Sequence, residues 1–61
     1  MLLLGRLVAA LGPTPQDLEG LAAALASEPL AVWQIARRLA LAGRIRGEHL
    51  DDPAHARFAA P

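Results

Sequence analysis

Proline and glycine cut this chain into four pieces, and their placement limits each piece to a short element. Gly12-Pro13 closes the first piece, Ser27-Glu28-Pro29 separates the second from the third, and Gly43 ends the third. Before Gly43 the apolar residues recur with helical period. Leu4, Leu7, Val8 and Leu11 follow i, i+3, i+4, i+7 spacing, and Leu18, Leu21, Ala22 and Leu25 repeat it. At 100° per residue Val32, Ile35, Ala36 and Leu39 fall on one arc of a third helix, with Leu30, Gln34, Arg37 and Leu41 opposite and Trp33 and Arg38 on the shoulders.

The spacing predicts helices over about 2–11, 15–26 and 29–42. Thr14 before Pro15 has the residue types of a helix start, with a hydroxyl to cap an orphan N–H and Pro at the first helical position; Ser27 before Glu28-Pro29 is a second cap candidate. After Gly43 the pattern changes. Arg44 to Leu50 alternates loosely, Asp51-Asp52-Pro53-Ala54 has turn chemistry, and His55 to Ala59 alternates again. A short β-hairpin over about 44–59 follows from this reading.

Length and composition narrow the functions open to the chain. At 61 residues, 1–61 reads as a single domain, with little room for both a core and a walled catalytic pocket. The absence of cysteine excludes disulfide staples and thiolate metal sites. Apolar residues make up 54% and aromatics only 3%, a Leu/Ala mixture that suits close-packed helices rather than a β-sandwich. Six basic and six acidic residues cancel, so bulk charge gives no pull toward a polyanion. Met1-Leu2-Leu3-Leu4 stops at Gly5-Arg6, far short of the ~20 apolar residues of a membrane span, and has no basic flank before it. No membrane partner and a cytoplasmic location are expected. Leu2-Leu3-Leu4 exceeds what one amphipathic face needs, which suggests a domain contact or a homodimer seam.

Three helices followed by Gly and a hairpin resemble a winged helix-turn-helix, a mainly α fold with a short C-terminal β-hairpin. Such motifs show a Leu-Ala pair in the first helix of the motif, here Leu21-Ala22, and an apolar residue four positions after that Leu, here Leu25. They also show Val in the recognition helix and Leu seven positions on, here Val32 and Leu39, before a Gly that leads into the wing, here Gly43. Within that class the chain is similar to the small C-terminal domain of DNA-processing protein A (DprA, also called Smf). Leu7-Val8-Ala9-Ala10-Leu11-Gly12-Pro13, Leu39-Ala40-Leu41-Ala42-Gly43-Arg44-Ile45 and Ala56-Arg57-Phe58 carry that similarity. It implies a module of a larger protein that handles incoming single-stranded DNA. The family's main single-strand site lies in a Rossmann-like domain that these residues do not represent. The wing departs from the family as well, with Asp51-Asp52-Pro53 where Gly-Gly is usual. Bacterial transcriptional regulators and FeoC-like winged helices share the remaining features.

The resemblance makes DNA the first expected partner. A recognition helix reads base edges with a few side chains while cations and backbone N–H groups hold phosphates. Gln34 is suited to adenine and Arg37 to guanine, and Arg38, Arg44 and Arg46 are placed for phosphates. The same side chains also serve simply to solvate a surface helix. Exposed aliphatics gain nothing from a phosphate backbone, and Asp51 and Asp52 at a wing tip would repel a duplex. A protein partner or homodimer is therefore the alternative, with Leu30, Trp33 and Leu41 as its face; Trp33 also reads as a shoulder packed on the hairpin. His49 and His55 with a neighbouring carboxylate suggest a weak Zn²⁺ site, but solvated loop residues explain them as well. No residue set is placed for nucleophilic catalysis. The expectation is a non-enzymatic module without cofactor or metal.

Overall fold

A computed structural model describes residues 3–61. The expected helix start at Leu2, and the share of Leu2 in the apolar surplus, lie outside the described residues. The elements run α1 (Leu3–Ala10), β1 (Gln16–Asp17), α2 (Leu18–Leu25), α3 (Pro29–Leu41), β2 (Arg46–Glu48) and β3 (Arg57–Ala59). The three strands form one antiparallel sheet in the order β1-β3-β2, with Gln16 opposite Phe58 and Gly47 opposite Phe58 from the other side. This is the winged-helix order, in which α2, residues 26–28 and α3 make the helix-turn-helix and β2–β3 make the wing.

The core lies where the helices meet the sheet. Leu7, Leu21, Val32 and Phe58 are its largest fully enclosed side chains, one from each helix and one from the central strand. All four predicted inward positions of α2 are buried, as are Val32, Ala36 and Leu39 of α3, while Ile35 is only partly covered.

The first helix is rotated from its expected phase. Leu7 and Leu11 point inward, but Leu4 and Val8 are each 46% exposed, and Leu3 and Ala10 pack on the core instead. The sequence permits either phase because leucine stands at both positions 3 and 4. Tertiary contacts decide between them. The Arg6 guanidinium donates to the Leu25 carbonyl at 2.8 Å, where a cation meets the negative end of α2.

The second helix starts at Leu18, not at Pro15, and its cap is Asp17 rather than Thr14. The Asp17 carboxylate accepts from the Gly20 N–H at 2.7 Å. Gln16 and Asp17, expected inside the helix, instead form β1, because Phe58 and Arg57 of β3 take up their backbone groups. The Gln16 amide also donates to the Ala10 carbonyl at 3.2 Å, closing an orphan acceptor of α1.

Ser27 is not the cap of α3 either. Its hydroxyl donates to the Leu25 carbonyl at 3.1 Å, and α3 begins with Glu28 in extended conformation before Pro29. The turn closes through Ser27 N–H to Ala22 O at 3.0 Å and Ala26 N–H to Ala23 O at 3.2 Å, with Ala26 in the left-handed region at φ 51°. Gly43 ends α3 in the same way at φ 75°, with Arg44 N–H on Leu39 O at 2.9 Å and Gly43 N–H on Ala40 O at 3.1 Å. Here glycine meets the requirement without steric cost.

The hairpin is narrower than the predicted 44–59, with three residues in each strand around a long turn over 49–56. No helix among the described residues is long and apolar enough to cross a membrane.

Candidate nucleic-acid interface on the third helix

The outward arc of α3 holds Leu30, Gln34, Arg37 and Leu41, with Arg38 at its edge. Gln34 and Arg38 are exposed, and Leu30 and Leu41 are 60% and 62% exposed. Arg44 is exposed in the loop that follows. Among the described residues no hydrogen bond or ion pair engages the side chains of Gln34, Arg38 or Arg44.

The wing turn lies against one side of this arc. The Trp33 indole N–H donates to the Leu50 carbonyl at 2.9 Å. One helical turn further on, Arg37 donates to Asp51 Oδ1 through Nε at 3.1 Å and Nη2 at 2.8 Å. Trp33 is thus partly buried as a shoulder packed on the hairpin, which leaves Leu30 and Leu41 as the openly exposed members of the proposed apolar face. Gly47 is required where the wing meets the helix. A Cβ there would stand 2.6 Å from Leu50 Cδ2, 3.0 Å from Ala40 Cβ and 3.1 Å from Phe58 Cδ1.

That close approach fixes the direction of Arg46. Side chains alternate along a strand, so with Gly47 turned toward α3, Arg46 and Glu48 face away from it. The Arg46 guanidinium donates to the carbonyls of Ala60 at 2.9 Å and Pro13 at 3.0 Å. It joins the chain's last residues to the α1–β1 connection, alongside the Ala60 N–H to Gly12 O bond at 2.8 Å. Arg46 is therefore not part of the α3 surface. Its clamp role had no local sequence signal, because its Pro13 partner lies 33 positions away.

Asp51 sits in the wing turn beside α3 with its carboxylate directed at Arg37. The pair is solvent-exposed, at 38% for the Arg37 side chain and 86% for that of Asp51. An exposed pair of this kind contributes roughly 0–1 kcal/mol.

Asp52 organises the second half of the turn. Its Oδ1 accepts from the Ala54 N–H at 3.1 Å and its Oδ2 lies 2.7 Å from Nδ1 of His55. The hydrogen bond with His55 holds the Asp52 carboxyl below the ordinary aspartate value of 3.8. Glu48, His49, Asp52 and His55 border one shallow depression together with Arg57, whose cation opposes a metal ion there. Among the described residues no three His, Cys, Asp or Glu side chains converge as a ligand set.

Comparison with protein-family models, curated proteins and solved structures found no match for the chain.

Proposed function

We propose that the chain is a non-enzymatic winged-helix module that binds duplex DNA through the outer arc of α3. The observation that carries this reading is the grouping of Gln34, Arg38 and Arg44 on or beside one exposed helix face, with none of their side chains engaged among the described residues. Gln34 supplies a donor and acceptor for adenine, and the two arginines supply charge for phosphates on the flank. Arg37 adds a guanidinium whose present partner is a weak, exposed one. Resemblance to the C-terminal domain of DNA-processing protein A supports a place in cytoplasmic DNA handling.

The test is duplex binding by fluorescence anisotropy across a salt series. Counterion release by two or three arginine–phosphate contacts gives a log–log slope of about −2 to −3. Arg38→Ala with Arg44→Ala lowers affinity and flattens that slope by about 2. Salt-independent binding, or a double variant that binds like the parent, overturns the reading.

A second reading, contact with another copy of this chain, is favoured by Leu30 and Leu41, each more than half exposed on the same arc. Leu30→Ser with Leu41→Ser then abolishes self-association in sedimentation, while the arginine changes leave it intact.

A further inference from the structure

Resting on the DNA reading above, we infer that Asp51 is a positioning residue for base selection: it holds the Arg37 guanidinium by its side edge so that the end edge reads a guanine. A guanidinium is planar and carries five N–H donors. Nε–H and one N–H of Nη2 lie along one side of the plane, and these two meet Asp51 Oδ1 at 3.1 and 2.8 Å. The remaining N–H of Nη2 and its parallel neighbour on Nη1 form the end edge. Among the described residues nothing accepts from that edge. Two parallel donors match the O6 and N7 acceptors that guanine presents in the major groove.

The backbone that carries Asp51 is anchored to α3. The Leu50 carbonyl immediately before Asp51 is fixed to Trp33 at 2.9 Å, one helical turn from Arg37 on the same helix. A long side chain loses rotamer freedom when it binds, and a guanidinium already fixed in plane loses less at the moment of contact. Asp51 also acts against binding as such, because an exposed carboxylate beside the helix repels the phosphate backbone. Its two effects have opposite signs: it favours selectivity and disfavours general affinity. An acid that merely occupied Arg37 would lower affinity for every sequence and leave selectivity untouched.

The experiment exposes the intact chain to a randomised duplex pool, sequences the bound fraction and measures affinity for the unselected pool. The parent chain enriches guanine at one position. Asp51→Ala lowers that enrichment about two- to fivefold, the range an exposed pair of this kind supports, while raising affinity for the whole pool. Arg37→Lys, which keeps the charge and loses the fork, lowers the enrichment further but leaves pool affinity nearly unchanged. Pool binding without any guanine position, or guanine enrichment that survives Asp51→Ala, overturns the inference while leaving DNA binding standing. A parent chain that fails to bind the pool overturns both.

Discussion

Trp33 and Leu50 join the two halves of the molecule: the indole N–H of the third helix donates to a wing carbonyl at 2.9 Å across 17 positions of sequence. This bond and the Arg37–Asp51 pair one turn away set the wing against the helix, and so set which charges border the exposed arc. Trp33→Phe keeps most of the ring's packing and removes the donor, leaving the Leu50 carbonyl without its partner. A loss of about 1 kcal/mol in urea unfolding is expected. Unchanged stability would mean that the indole bond does not hold the wing.

Ala26 takes a left-handed conformation at φ 51°, which costs an L-residue with a Cβ about 1–2 kcal/mol. Ala26→Gly removes that cost but adds about 0.4–1 kcal/mol of unfolded-state entropy. The difference is a gain of up to about 1.6 kcal/mol, and its central value of about 0.8 kcal/mol is roughly 3–6 °C in thermal midpoint for a domain this small. A lower midpoint would show that the turn between α2 and α3 is closed in some other way.

Gly47→Val places a branched side chain where even a Cβ meets Leu50, Ala40 and Phe58 at 2.6 to 3.1 Å. Overpacking at this seam costs about 1–3 kcal/mol, and the wing is the element that moves. Chemical-shift changes centred on Leu50, Asp51 and Trp33, together with a lower unfolding midpoint, are the expected result.

The sequence carried the helix-turn-helix more legibly than the wing. In α2 the four predicted core positions are buried because both sides of the helix meet apolar neighbours at the expected phase. In α1, consecutive leucines made two phases equally good, and only the packing of Leu3 and Ala10 chose between them. Gln16-Asp17 has no strand signature of its own; it is a strand because Phe58 pairs with it. Among the candidate interface residues, helical period alone placed Gln34 and Arg38 outward. The direction of Arg46 depended on hairpin register, and the pairing of Arg37 with Asp51 on a turn that folds back across fourteen positions, neither of which local pattern encodes.

Asp52 gives a pH signature. Its folded pKa is depressed, chiefly by the hydrogen bond with His55, so the unfolded chain binds the proton more readily. Its contribution to stability is therefore fully present above the unfolded value near 3.8 and is lost as pH falls through the lower folded value. An NMR titration should place the Asp52 carboxyl below 3.8, and His55→Ala should return it toward that value. A carboxyl that titrates identically with and without His55 would remove this pair from the turn.

The central claim, that the outer arc of α3 is the DNA-binding surface, is tested most directly by titrating ¹⁵N-labelled protein with a short duplex and mapping the amide shifts. Binding through α3 predicts the largest shifts at Gln34, Arg37, Arg38 and Arg44, with Asp51 following as its partner is engaged. Shifts gathered instead on Leu4 and Val8 of α1, or no shifts at low salt, would contradict it.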